Sequence, residues 1–287
     1  MKYTNEMHLP LSLVSAIEND TYTKGNADIS VTTLIQPPKI RVLSTRHRDE
    51  ISEDVADCIY RLVGQNTHAI LERVQHKDAL QEERLYLKVG GWTISGQADL
   101  YEDEIVHDYK NTSVWSIING VKPEWIYQLN CYAHGFRQAG FPVKGLKIIA
   151  ILRDWSKFKA KEGGSYPKKQ VVTLEIPLWS DEDAERYIDG RVFLHKAADE
   201  LPDDDIAPCS PEERWDRPTK YAVIKGSLKK AWRVVESLEE AEKLKAEIEE
   251  RSGNDYRIDE RTGESVRCMN YCSVCDYCNH YKTLVPF

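Results

Sequence analysis

No stretch of this sequence is apolar for long enough to cross a membrane. Its opening, MKYTNEMHLPLSLVSAIEND, lacks the continuous apolar core and small-residue cleavage site of a secretion signal. The expectation is a cytosolic protein without a membrane span. The bias of a disordered chain is absent too, since 41% of residues are hydrophobic and 30% charged, and no repeat or low-complexity tract stands out. Positive charge is not in excess either: 39 lysines and arginines face 47 aspartates and glutamates. A nucleic-acid partner usually leaves a basic footprint. Acidic metal ligands can mask that footprint, so this last absence excludes less than the others.

What is present is a chain of 287 residues, enough for one elaborated domain or two smaller ones. Residues 1–40 read as an N-terminal arm, in which Ser30 and Thr32 or Thr33 can cap a short helix before the Pro37-Pro38 break. From Asp49, the spacing of Ile51, Val55, Ile59, Leu62 and Val63, continued by Ile70, Leu71 and Val74, predicts one long or broken helix with a possible break at Gly64. Two alternating runs, Glu83 to Val89 and Trp92 to Leu100, flank Gly90-Gly91 and predict a hairpin. A third strand over Ile105 to Lys110 makes a meander. Helices are expected over 124–138 and 180–198, with buried strands over 144–153 and 171–176. The fold class is therefore mixed α/β, with a core over 41–200. The Pro- and Asp-rich text from Leu201 to Pro218 reads as a linker or surface excursion into a C-terminal module over 201–287. There Ser237 to Glu240 reads as a capping box for a helix with Leu238, Ala241, Leu244 and Ile248 inward.

Asp108 and Lys110, two apart on a strand, point to one face, and Asp99 ends the strand before. Two carboxylates suit a hard divalent ion, and an ammonium beside them can orient a water and stabilise charge on a phosphoryl centre. An Asp-x-Lys on a strand is common on solvated faces, so its context matters. His68 and Glu72, four apart on a helix, precede it. Seven cysteines, reduced in the cytosol, point to metal before disulfides. Four of them crowd into Cys268, Cys272, Cys275 and Cys278, with Cys209 upstream in PCSPEERW, which suits a four-cysteine zinc or iron-sulfur site.

The order Gly64-x3-His68-x3-Glu72, Gly96-x2-Asp99, Asp108-Tyr109-Lys110 and Gln128-x3-Tyr132, spanning residues 64–132, resembles the PD-(D/E)XK nuclease superfamily. Within it the likeness is to RecB-like exonucleases: nuclease domains of bacterial recombination helicases, CRISPR adaptation nucleases and lambda-type phage exonucleases. The resemblance implies a restriction-endonuclease-like core, a central mixed sheet flanked by helices. It also implies that His68, Asp99, Asp108 and the backbone carbonyl of Tyr109 hold Mg²⁺ or Mn²⁺ and that Lys110 positions the attacking water. Gln128 and Tyr132 would steady the site or touch DNA, and Glu72 and Glu82 would be supporting acids. It further implies a 4Fe-4S cluster pinning the C-terminal module, with Cys209, Cys268, Cys272 and Cys278 as ligands. Zinc, or Cys275 as an alternate ligand, stays open. In many relatives the distant cysteine precedes the nuclease motifs, whereas Cys209 follows them, and the early Cys58 sits in an apolar helix and reads as core.

Lys157, Lys159, Lys168, Lys229 and Lys230, interleaved with aromatics, are candidate DNA-backbone contacts, a solvated lysine surface being the plain alternative. The activity the resemblance implies is a phage-type DNA exonuclease acting in recombination or repair, with a single-strand annealing recombinase as a candidate partner. The same residues would serve an endonuclease. A non-catalytic DNA-binding module with a structural metal is the reading from another class. Oligomeric state is not readable from these residues.

Overall fold

The computed structural model describes residues 2–19, 23–74 and 79–285, and the chain divides into two units, Met1–Leu201 and Pro202–Phe287. Among the described residues no helix is long and apolar enough to cross a membrane. Unit one opens with β1 (Lys2–Thr4) and α1 (Leu11–Glu18). β2 (Ile29–Ser30) leads into α2 (Val31–Leu34), where the Ser30 hydroxyl accepts the Thr33 N–H at 3.2 Å and so caps the helix. Pro37 precedes α3 (Pro38–Arg46). The stretch read as an arm is thus built into the unit, because Ile29, Val31 and Leu34 are buried in its main core and β2 joins the main sheet.

The segment from Asp49 is not one helix. β3 (Ser52–Asp54) runs parallel to β1, and a single 3₁₀ turn over Val55–Cys58 follows, opened by the Asp54 carboxylate accepting the Ala56 N–H at 2.9 Å. Ile51, Val55 and Cys58 are buried there, which gave the apolar spacing its helical look. The helix proper, α4 (Ile59–Leu71), starts later and passes Gly64 unbroken.

β4 (Leu80–Val89) and β5 (Trp92–Glu102) form the hairpin, with Gly90 and Gly91 at φ +57° and +81°, the twin left-handed positions of a tight two-residue turn. β6 (Ile105–Thr112) completes the meander. After α5 (Trp115–Ile118), α6 (Pro123–Gln138) crosses back so that β7 (Gly145–Leu152) lies parallel to β6. Then come α7 (Lys157–Glu162), the antiparallel β8 (Val171–Ile176) and α8 (Asp181–Asp199), capped by Ser180. The result is a six-stranded mixed sheet flanked by helices. Its core joins Leu129 and Phe136 of α6, the alternating Leu146, Ile148, Ala150 and Leu152 of β7, and Ile188 and Val192 of α8.

In unit two, the expected linker holds a built turn, α9 (Pro211–Arg214), with Ser210 and Glu213 capping reciprocally. β9 (Asp216–Arg217) and β10 (Lys220–Lys225) follow, then β11 (Arg233–Val235), α10 (Leu238–Ser252) and β12 (Tyr256–Arg261). The three-stranded sheet β11-β10-β12 packs Val223, Val235 and Tyr256 under Ala241, Leu244 and Ile248 of α10. Leu238, expected inward, is exposed at the first turn. β13 (Glu264–Ser265), α11 (Val266–Asn270) and α12 (Asn279–Leu284) end the chain's described part.

One buried polar group ties three elements of unit one together. His195 of α8 is fully buried; its Nε2–H donates to the Leu34 carbonyl at 2.9 Å, and its Nδ1 accepts from Arg41 Nε at 2.9 Å. That pattern requires the neutral ring, and burial pulls its pKa from 6.5 to about 4. The unfolded chain therefore takes up the proton first as pH falls. Stability from this histidine is whole above pH 6.5 and is lost as pH drops towards about 4. We expect the urea midpoint, followed by tryptophan fluorescence, to fall across that window, and His195→Gln to be less stable at neutral pH but to show a shallower fall. An equally steep fall in the variant would show that other groups govern it.

Candidate active site

The two central strands of unit one part company. β4 occupies one edge of β5 along its length, while the other edge is shared: β6 pairs only with Leu100, Tyr101 and Glu102, and β2 pairs with Ile94 and Ser95. Between them a gap opens along Gly96 to Asp99. Asp99 stands at the fork, its Oδ2 accepting the Tyr109 N–H at 2.7 Å where a strand partner would have been. The N–H and C=O of one extended residue leave by the same edge, so the Tyr109 carbonyl faces this opening as well.

The pleat also breaks here. A Cβ on Gly96 would lie 2.9 Å from the Tyr132 ring of α6, and Tyr101 stacks on Phe136 of the same helix with centroids 4.6 Å apart. Residues five apart share no face of a regular strand. On β4 the register passes from Gln81↔Leu100 to Glu83↔Ala98, and Glu82, between them, takes φ +50°, a strained left-handed conformation for a residue with a side chain. That register sets Glu82 directly opposite Asp99, so the hairpin pairing itself brings the two acids together.

At this break His68, from the last turn of α4, reaches both acids: Nδ1 is 3.3 Å from Asp99 Oδ1 and 3.5 Å from Glu82 Oε1. Among the described residues these three form the group of metal-ligating side chains whose ligand atoms all lie within 4.8 Å of one another. Hydrogen bonding to Asp99, then to Glu82, raises the His68 pKa from 6.5 to about 10. Gln97 holds Glu82 in place, its amide donating to Oε2 at 3.0 Å, and Arg84 donates to Gln97 in turn.

Asp108 lies beside this group and outside it. It is 1% exposed, and burial pushes its pKa up to about 6, with Lys110 opposing and Asp99 adding to the rise. Lys110 Nζ forms an ion pair with the buried Asp108 Oδ2 at 2.8 Å. An imidazole, three carboxylates and a carbonyl are hard or borderline donors, a set whose chemistry fits a hard divalent ion. His68, Glu82, Asp99, Asp108 and the Tyr109 carbonyl are the residues that would hold it.

Lys110 is fixed from α6. Its ammonium donates to Gln128 Oε1 at 3.0 Å, and Gln128 Nε2 donates to the Tyr132 hydroxyl at 2.8 Å. Tyr132 packs on the bare backbone of Gly96, closing a chain of contacts from one side of the fork to the other. Gln128 and Tyr132 are both buried, so they steady the lysine and do not reach a polymer. Glu72, expected beside His68, is exposed just past the end of α4 and lies outside the ligand group; Glu82 takes the place it was expected to fill. Lys157 and Lys159 on α7, and Lys168 beyond it, are exposed in unit one, while Lys229 and Lys230 are exposed on the β10-β11 hairpin of unit two. Trp115 is exposed, and Trp125 and Trp155 are packed into the core region.

In unit two, β9 pairs with β13, and Ser265 donates to Asp216 at 2.7 Å. The Arg267 guanidinium lies 5.1 Å from the Trp215 ring centroid. This clasp brings the PCSPEERW segment to the cysteine-rich tail. Cys209 lies in the fields of Cys272 and Cys278, Cys268 in that of Cys278, and Cys272 in those of Cys268 and Cys278, while the Cys275 thiol is raised first by burial and then by Asp276 and Cys272. Burial pushes the Cys209 thiol up to about 12. Cys58, read as core, is buried in unit one.

No protein-family model matches this chain, and no curated protein matches it. Among solved structures it is similar to one described as the crystal structure of SSO0001, at 19% identity and a TM-score of 0.43, over 64% of this chain and 85% of that one.

A proton on His68 and a metal ion there exclude each other. A divalent ion must displace that proton, so affinity rises with pH as long as His68 would otherwise be charged. In Mn²⁺ titrations by calorimetry we expect binding to tighten from pH 6 to pH 9. His68→Ala should weaken it at least on the order of tenfold and flatten the pH trend. Equal binding at all pH values would remove His68 from the ligand set.

Proposed function

We propose that this chain is a divalent-metal-dependent DNA nuclease of the PD-(D/E)XK type, built on a restriction-endonuclease-like core and acting as an exonuclease on DNA ends. The observation that carries this reading is the convergence, at one fork in the sheet, of His68, Glu82 and Asp99 with the buried Asp108 and its partner Lys110. A divalent ion held there would polarise a phosphoryl oxygen and lower the pKa of a water.

The chain's own groups do the rest. Lys110 spends one N–H on Gln128 and faces Asp108, which leaves an ammonium hydrogen to orient a water towards phosphorus and to stabilise the charge that develops. Gln128 and Tyr132 keep that ammonium from swinging away, so its orientation is set before substrate arrives. Asp108, pushed towards neutrality by burial, stays an effective anion because Lys110 opposes the shift. The exposed lysines of α7 and its following loop supply backbone contacts. So does the β10-β11 hairpin, where five lysines and arginines fall between Lys220 and Arg233 with no acidic residue among them.

With Mg²⁺, linear duplex DNA should be degraded while closed circular DNA persists. Asp108→Asn and Lys110→Ala should each slow degradation on the order of a hundredfold or more. Rapid loss of the circle would replace the exonuclease reading with an endonuclease. Variants as fast as the parent would dismiss the site.

We further propose that Cys209, Cys268, Cys272 and Cys278 hold a 4Fe-4S cluster. The clasp that draws Cys209 to Cys272 and Cys278 of the tail supports a four-thiolate ligand set. Anaerobically purified protein should show broad visible absorption, lost in Cys209→Ser and Cys272→Ser and retained in Cys275→Ser. Colourless protein with one equivalent of zinc would overturn this assignment.

A further inference from the structure

The fork in unit one is lined by carboxylates, which repel a phosphodiester, so the cations that offset them decide how a strand lies across it. Lys110 is one. Past it β6 ends at Thr112, whose carbonyl accepts the N–H of Arg153 at 3.0 Å. Arg153 is the first residue after β7, and β7 runs parallel to β6, so Arg153 leaves the sheet at the end that carries Asp108 and Lys110. Its guanidinium carbon lies 4.0 Å from the ring centroid of Tyr60. Tyr60 sits on α4 about two turns before His68. Asn111 ties that helix to this end of β6, donating to Thr67 Oγ1 at 2.6 Å.

From the other side comes Lys122, the residue that precedes α6, with its ammonium 5.3 Å from the Trp125 ring centroid. Desolvation first, then the charges of Arg153 and Lys110, press Lys122 towards its neutral form, against the pull of Glu124. α6 carries the chain from the end of β6 back to the start of the parallel β7, and its Gln128 holds Lys110. Lys122 at its N-terminus therefore stands at the same end of the sheet as Arg153, and three cations from three elements gather there. Lys110 is committed to Asp108. Arg153 has no carboxylate at ion-pair distance among the described residues; its recorded side-chain neighbour is an exposed aromatic ring. A guanidinium close over a ring keeps its in-plane N–H groups free for a planar or forked anion.

We propose that Lys122 and Arg153 form a phosphate subsite beside Lys110, seating a backbone phosphate next to the one that is cleaved. This rests on the nuclease reading for its role in turnover, while the binding it describes does not. Arg153 would grip two oxygens, and Lys122 would act as a point charge opposite. The mutual repulsion that Arg153 and Lys110 impose on Lys122 would be relieved when the anion enters.

The test uses the full chain with Lys122→Gln, Arg153→Ala, both together, and Arg153→Lys. On linear duplex with Mg²⁺ the double variant should raise KM on the order of tenfold or more, the effect falling on KM rather than kcat. In chelator, fluorescence anisotropy with a labelled duplex should show the slope of log K against log salt reduced by about one for each cation removed. Arg153→Lys should restore the slope. Mn²⁺ affinity should match the parent's. Unchanged KM and slope in a folded double variant of an active parent would dismiss the subsite and leave the nuclease reading standing. If the parent cleaves no DNA with any divalent ion but the slopes still fall, the nuclease reading fails and the subsite stands. A parallel drop in Mn²⁺ affinity would assign both residues to the metal site and overturn the subsite.

Discussion

The hydrogen bond from Tyr109 N–H to Asp99 makes the rest of unit one possible. Two neighbouring strands that diverge leave backbone groups without partners, and a buried unpaired donor costs about 1–3 kcal/mol. The Asp99 carboxylate meets that donor at 2.7 Å, and a charge-assisted bond of this kind is worth roughly 1.5–3 kcal/mol. Because the acid takes over the strand's role, β5 can swing towards β2 while β6 stays with β7. The gap that results admits His68 from α4 on one side and the reach of α6 on the other.

The α6 side depends on close approach. Gly96 lets the Tyr132 ring sit against the β5 backbone, and that ring's hydroxyl holds Gln128, which holds Lys110. The lysine is therefore positioned by a run of buried contacts. The acids on the α4 side are positioned differently, by a strained residue, Glu82, propped by Gln97 and Arg84. Rigidity on one side and backbone strain on the other bring the groups to one place.

Much of this was legible in the sequence, and the parts that were not share a cause. The hairpin announced itself through Gly90-Gly91, β7 through its apolar run, and the common face of Asp108 and Lys110 through simple alternation. Gln128 and Tyr132, four apart on a helix, were equally visible. Glu82 faces Asp99 through the register that the Gly90-Gly91 turn sets, while its left-handed backbone carries no sequence signal. Glu72 keeps helical geometry at the end of α4, but its side chain is exposed and lies outside the ligand group, which its spacing from His68 does not reveal. β2 is two residues long, too short for any periodicity, so the first forty residues read as an arm although they supply Ile29, Val31 and Leu34 to the core. The late start of α4 was hidden by buried residues that happen to keep helical spacing through a strand and a 3₁₀ turn.

Unit two carries a different lesson, written in its two-residue ladder. β9 and β13 pair through Arg217↔Glu264 and Asp216↔Ser265, and the Gly263 N–H donates to Thr219 Oγ1 at 2.9 Å. Everything from β10 to β12, with its own sheet, helix and small core, thus enters and leaves through one narrow doorway. A Cβ at Gly263 would lie 2.6 Å from the Arg217 carbonyl, so the doorway tolerates little widening. Segments inserted between adjacent, pinned ends are free to be lengthened, trimmed or exchanged without disturbing what lies outside. The clasp around the cysteines therefore keeps its own geometry whatever the length or content of the segment it encloses.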